Sequence, residues 1–358
     1  MKTIEIFFRK ILLKLLLLFY GGGKRRSSKT SGDSMNCFVV RLNRIGDALV
    51  TTPLLKLLKE KLNCRLILLA DKRNRFVFEN NPYVDELLVF QKGLKGFKAV
   101  RKYFNDNRID VLIDSHDDIS TTVSFIVAFS GVSQRFALAK GNESIYTDAI
   151  ERKDASKFHI AERVAELAKL CGADFHSDEI KLVYNPKKES LEVVDFFLRE
   201  NRQSGKPVVG INISAGSDAR FWGIEKYKTI IEHISSTFDV NLILLRAPDD
   251  KEKAAQIANE NVNIFNDKSF DQFAAMISKL DILISPDTSA VHLAAAFGVP
   301  VFGLYVHYKT DDVIWYPFNV KYEAVITRDP NLSSISTEEV IEKLDPFLFD
   351  ILMSEENG

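Results

Sequence analysis

Two short segments of this 358-residue chain carry residue types suited to chemistry on a phosphorylated substrate. The first is Ser285-Pro286-Asp287-Thr288-Ser289-Ala290-Val291-His292, which follows the apolar run Ile282-Leu283-Ile284 and precedes Gly298, Pro300 and the run Val301 to Val306. That order reads as strand, sharp turn, helix, strand, with Asp287 and Thr288 at the helix N-terminus. Unpaired N–H groups and a positive partial charge let such an end hold a phosphate. His292, one turn inside, can face the same ligand; an ordinary capped helix with a buried histidine fits the same residues. The second segment runs from Val39 through Arg44-Ile45-Gly46-Asp47 to Thr51-Thr52-Pro53. It reads as strand, Gly-containing turn, helix, and Asp47 falls at the strand's carboxyl end, where open α/β sheets place ligands. Its carboxylate can take a proton there, or it can cap the helix that follows.

These side chains need a sheet to hold them. From Asn36, short apolar runs alternate with amphipathic stretches: strands at 38–42, 66–70, 86–90, 111–115 and 135–139, helices at 49–62, 73–80, 95–107, 120–129 and 158–170. After Pro207 the pattern restarts, with strands at 208–213, 241–246, 262–265, 282–284 and 301–306 and helices between them. Such alternation marks βαβ units and a mainly parallel sheet. The chain is long enough for two domains. The expected class is therefore α/β, two doubly wound Rossmann-like domains facing a central cleft. Their bounds are 36–180 and 181–335, with a helix over 336–358 packing back on the body.

Together the two motifs resemble glycosyltransferase family 9, the lipopolysaccharide heptosyltransferase family. That family opens on a strand, a Gly-Asp turn and a Thr-Thr-Pro-like helix start, and closes on an Asp-Thr-Gly/Ser…His helix. The resemblance spans about Asn36 to Pro317 and implies the GT-B fold, with an acceptor-side first domain and a nucleotide-sugar-binding second one. It implies an inverting, metal-independent transfer of a sugar, heptose from ADP-heptose, onto a lipopolysaccharide-core or other lipid-linked saccharide. No cofactor is implied beyond the donor.

The same resemblance distributes roles. Asp47 matches the proposed base, and Gly46 would let the backbone turn tightly beneath it. In Ser214-Ala215-Gly216-Ser217-Asp218-Ala219-Arg220-Phe221-Trp222, Arg220 matches the cation that meets the diphosphate, and Ser214 and the backbone at Gly216 can add donors. Trp222 reads as packing. Thr288 and Ser289 add hydroxyls at the helix end; Ser289 stands where many members have Gly. Asp287 suits sugar hydroxyls or the loop, because two anions repel. Asp250 matches a ribose contact, although Arg246 replaces an expected Gly nearby. On the acceptor side stand Arg44, suited to an anionic saccharide, and His116, which fits an exposed structural role equally. Asp117-Asp118, Asp249-Asp250 and Asp311-Asp312 lack Asp-x-Asp spacing, so no metal is expected. A GT-B-shaped sugar-nucleotide isomerase or hydrolase, and a silent membrane-associated sugar-nucleotide binder, remain alternatives.

Composition narrows the partners. Lys and Arg number 48 against 49 Asp and Glu, so no basic field points to nucleic acid. Three scattered cysteines suit a reducing compartment. Residues 1–35 differ in kind. Ile4, Phe7, Phe8, Ile11, Leu12, Leu15 and Phe19 recur at helical spacing, but Glu5, Arg9, Lys10 and Lys14 interrupt a spanning run. Gly21-Gly22-Gly23-Lys24-Arg25-Arg26 follows as a basic tether. An amphipathic helix plus a polybasic linker predicts attachment to an anionic membrane surface, at the inner face of the cytoplasmic membrane. The other reading docks that helix on the protein itself.

Overall fold

A computed structural model describes residues 11, 13–18, 35–42, 44–310, 312 and 315–354. The chain divides into two compact units, Met1–Val183 and Tyr184–Gly358.

The first unit contains β1 (Asn36–Arg41), α1 (Ile45–Leu49), α2 (Thr52–Leu62), β2 (Arg65–Asp71), β3 (Glu86–Phe90), α3 (Leu94–Asp106), β4 (Val111–Asp114), α4 (Thr121–Ala128), β5 (Gln134–Leu138), β6 (Asp148–Ile150), α5 (Ile160–Ala165) and α6 (Leu167–Leu170). Its sheet is parallel, in the order β3-β2-β1-β4-β5-β6. Strand order reverses between β1 and β4, so the loops leaving these two strands part at their carboxyl ends and open a crevice. Arg44 to Asp47 lie in the first loop and the helical turn after it; Ser115 to Asp118 lie in the second.

The second unit repeats the plan with α7 (Lys188–Asn201), β7 (Val208–Asn212), α8 (Ile224–Thr237), β8 (Asn241–Leu245), α9 (Lys251–Ile257), β9 (Val262–Ile264), α10 (Phe270–Ile277), β10 (Ile282–Pro286), α11 (Ser289–Phe297), β11 (Val301–Val306), β12 (Tyr322–Thr327) and α12 (Thr337–Ser354). The order β12-β11-β10-β7-β8-β9 puts the reversal between β7 and β10. Ser214 to Arg220 follow β7, and Asp287 and Thr288 follow β10, so both predicted phosphate-facing segments meet at one switch point. Helix α12 buries Val340, Leu344, Leu348 and Ile351 in this unit's core.

The strands are apolar along their whole length because helices cover both faces of a parallel sheet. β1 shows it: Phe38 and Val40 join one core cluster, while Cys37 and Val39 are buried away from it. Three local expectations change. The helix expected at 73–80 shrinks to a single 3-10 turn, Arg75–Val77. Asn74 accounts for this: its side chain accepts from Asp71 N at 2.9 Å and donates to Arg41 O at 3.1 Å, which competes with helical bonding. The helix expected at 49–62 breaks at Val50-Thr51, and Gly46 and Asp47 lie inside the short helix α1 rather than in a tight turn. Helix α7 and strands β6 and β12 were not expected at all.

Residues 13–18 are helical, and Leu16 is 7% exposed within the core cluster of the first unit, with Leu13 and Leu17 packed against it. This part of the N-terminal segment therefore docks on the protein, through leucines outside the expected stripe. The stripe residues Ile11 and Leu15 are exposed. The rest of the expected amphipathic segment and its basic tether lie outside the described residues. No described helix is long and apolar enough to cross a membrane.

Candidate active site

In the first unit the site is built around a buried cation. Arg41, the last residue of β1, is 1% exposed. Its Nη2 donates to Asp47 Oδ1 at 2.9 Å, its Nε to the Asp47 carbonyl at 2.9 Å, and its Nη1 to the Ser115 carbonyl at 2.7 Å. One guanidinium thus ties the segment after β1 to the segment after β4. Burial lowers the Arg41 pKa, and Asp47 is the first of the carboxylates that oppose the fall. Asp47 keeps 19% of its side chain exposed. It caps no helix: Arg44 and Thr51 hold the N-cap positions of α1 and α2, neither with a side-chain bond. Arg44 is exposed beside it.

His116 is buried, with both ring nitrogens engaged. Nδ1 lies 2.7 Å from Asp114 Oδ1, and Nε2 lies 2.6 Å from the Leu42 carbonyl and 3.1 Å from Leu42 N. Lys140 Nζ and the Tyr146 hydroxyl donate to Asp114 Oδ2 at 2.7 and 2.6 Å. Burial would raise the Asp114 carboxyl, but the Lys140 ammonium and His116 outweigh it and hold the group well below the usual range. The structure makes His116 a strut from the end of β4 to Leu42, just before the Asp47 segment, and buries its ring. The sequence reading missed Arg41, Asp114 and Lys140. It also missed Asp117, which pairs with Arg163 at 3.1 Å and whose carboxyl burial pushes up.

In the second unit four loops converge. Asn212, at the end of β7, donates through Nδ2 to Ser285 Oγ at 2.9 Å and to Thr288 Oγ1 at 3.2 Å. Arg220 pairs with Asp287, Nη2 to Oδ2, at 3.1 Å, and keeps 40% of its side chain exposed. Ser214 donates from Oγ to Asp250 Oδ2 at 2.8 Å and accepts from Ala247 N; Lys253 Nζ reaches Asp250 Oδ1 at 2.8 Å. The predicted residues are thus joined as two pairs, Ser214 with Asp250 and Arg220 with Asp287. Thr288 caps α11, accepting from Ala290 N at 3.3 Å, and Ser289 is partly exposed at its first position. His292 is buried one turn along, its ring centroid 5.9 Å from that of Trp315. Gly216 stands in open space at the loop crest. Trp222 is buried and donates to the Ile335 carbonyl at 3.0 Å.

Two further side chains shape this end of the sheet. Arg246, where a Gly was expected, is buried and donates to Asn266 Oδ1 at 2.7 Å and to the Ala247 carbonyl at 3.2 Å. Tyr305 lies over Gly303, where a Cβ would stand 2.1 Å from its ring. Only glycine admits the ring there. Burial raises the Tyr305 hydroxyl, with the Asp287 carboxylate adding to it. Among the described residues no three His, Cys, Asp or Glu side chains gather as a metal-binding group.

The model of glycosyltransferase family 9 (heptosyltransferase) matches residues 97–344, well over half of the chain. The chain belongs to glycosyltransferase family 9. Among curated relatives, a protein of Haemophilus influenzae provisionally named a glycosyltransferase is 24% identical over 89% of this chain and 98% of its own length. Among solved structures, the family 9 glycosyltransferase of Veillonella parvula covers 90% of this chain and 100% of its own, with a TM-score of 0.76 at 18% identity. The Escherichia coli ADP-heptose lps heptosyltransferase II covers 90% and 100%, with a TM-score of 0.70 at 17% identity. The fold is of the GT-B type, and this family member is a glycosyltransferase.

Proposed function

We propose that this glycosyltransferase moves a heptose from ADP-heptose onto a lipopolysaccharide-core or other lipid-linked saccharide, with inversion and without a metal ion. The observation that carries the reading is the Arg220–Asp287 pair beside the N-terminus of α11. It sets a partly exposed guanidinium next to the N-terminus of α11, whose cap is Thr288, at the switch point of the second sheet. A diphosphate arriving there meets a fixed cation and backbone donors together.

In this reading the second unit holds the donor. Arg220 and the helix end take the diphosphate, the backbone at Gly216 adds a donor, and Asp250, held by the Ser214 hydroxyl, accepts from ribose hydroxyls. The first unit serves the acceptor, with Arg44 suited to an anionic saccharide. An acceptor hydroxyl attacks the anomeric carbon from the face opposite the diphosphate. A C–O bond forms as the bond to phosphate breaks, so configuration inverts. The proton passes to Asp47, and the leaving negative charge falls on the diphosphate beside Arg220. A carboxylate already fixed by Arg41 needs little reorganisation to accept that proton.

The test is incubation with ADP-heptose and truncated core acceptors, with products read by mass spectrometry in the presence and absence of a chelator. A heptosylated product that forms equally with chelator supports the reading. Donor consumed without any acceptor would assign the fold to hydrolysis or isomerisation instead.

A further inference from the structure

The N-terminal helix has two apolar faces, and the fold covers one. Leu13, Leu16 and Leu17 turn to the core of the first unit. Ile11, Leu15 and Leu18, at i, i+4 and i+7, turn to solvent, and Leu18 is 77% exposed. The cluster that receives Leu16 also contains Val100 of α3 and Val123, Ile126 and Val127 of α4, with Phe97 packed against it. The helix therefore lies in the same layer as α3 and α4, on one face of the sheet.

That layer carries two more features. The outer face of α3 presents Lys95, Lys98, Arg101 and Lys102, all exposed, and the only acid in the helix is Asp106, at its last residue. Leu94 and Phe129 are 79% and 51% exposed at its margins. Arg101 Nη1 donates to the Phe129 carbonyl, which fixes the end of α4 against the basic helix.

We propose that this layer is the membrane-facing surface of the protein: the basic face of α3 meets anionic lipid headgroups while Leu15, Leu18, Leu94 and Phe129 enter the interfacial zone. Charge complementarity selects the occupant. Cations alone would suit any polyanion, but cations interleaved with exposed leucines and a phenylalanine match the layered chemistry of a bilayer surface. The docked turn of the N-terminal helix then works as part of a preformed surface, and attachment does not rest on residues 1–35 alone. Binding to vesicles is read without turnover, so the proposal stands or falls apart from the reaction above.

The experiment is flotation of the full-length chain with vesicles of phosphatidylcholine alone or mixed with phosphatidylglycerol. Wild-type protein should float with the anionic vesicles and lose binding at high salt. Each lysine near such a surface contributes about fivefold, so Lys95→Glu/Lys98→Glu/Lys102→Glu should lower partitioning by about 10²-fold or more. The neutral Gln triple variant should give a smaller loss in the same direction. Leu15→Ser/Leu18→Ser should weaken binding by about tenfold or more by removing apolar insertion. Unchanged melting temperatures would show that the surface changed and the fold did not. Wild-type partitioning by the Glu and Gln triple variants, or equal binding of wild type to neutral and anionic vesicles, overturns the proposal. So does a loss confined to binding of a soluble anionic saccharide, which would make α3 an acceptor contact.

Discussion

Arg41 grips Asp47 at two places, the carboxylate oxygen and the backbone carbonyl, each at 2.9 Å. A side chain held at both ends of its own residue has little freedom to turn. The same guanidinium holds Ser115, so the position of the carboxylate relative to the β4 segment is set by one buried group.

Asp47→Asn keeps size and hydrogen bonding to Arg41 but cannot take a proton. Transfer should fall by about 10²-fold or more while ADP affinity stays within about twofold. Steady-state kinetics with calorimetric titration of ADP checks this. Near-normal turnover would remove Asp47 from the base role.

Arg41→Lys keeps the charge but cannot reach three oxygens in fixed directions. Turnover should drop by about tenfold to a hundredfold through misplacement of Asp47, with ADP binding unchanged. Arg41→Met should lower turnover further and cost about 2 kcal/mol of stability by leaving the Ser115 carbonyl without this donor. A kcat effect confined to the Met variant would mean that charge, not the three-bond grip, matters.

Arg220→Ala should weaken donor binding and transfer together, each by about tenfold or more, because the cation meets the diphosphate both before and during departure. Binding of ADP by calorimetry, set beside turnover, reads both. Loss of turnover with full ADP affinity would confine Arg220 to the transition state.

Acid stability should report Asp114. Its folded-state carboxyl titrates below the ordinary 3.8, so on acidification the unfolded chain takes up the proton first. The stabilisation is complete above that ordinary value and is lost as pH falls below it, at up to about 1.4 kcal/mol per pH unit. Asp114→Asn leaves the buried Lys140 ammonium without its counter-ion and should cost about 3–5 kcal/mol near neutral pH. Urea titrations of both proteins between about pH 3 and pH 7 should show a shallower acid slope for the variant.

Much of the site is local and can be read from the chain. Asp287-Thr288-Ser289 sits one step after an apolar run and one step before a helix, and α11 begins at Ser289 as expected. The Asp47 segment is legible only in part: the apolar strand precedes it as expected, but Gly46 and Asp47 lie within α1 rather than in a turn before the helix. Arg41 is not, since a single cation closing an apolar strand looks like a residue reaching for solvent. His116, which reads equally as an acceptor contact or an exposed structural residue, is instead buried against Asp114, because its partners lie on other elements.

The sequence by itself determined the strand, turn and helix units, the parallel α/β class and the chemical types at the strand ends. Those properties depend on spacing within a dozen residues, where apolar period and capping chemistry act. Partnership was decided only by tertiary structure. Asn212 meets Thr288, 76 positions away, because β7 pairs with β10, and Arg41 meets Ser115 because β1 pairs with β4. Likewise the burial of Leu16, rather than Leu15, followed from which side of the helix the sheet's covering layer could accept. Strand order in a parallel sheet is set by crossover connections and core packing, which no local period encodes.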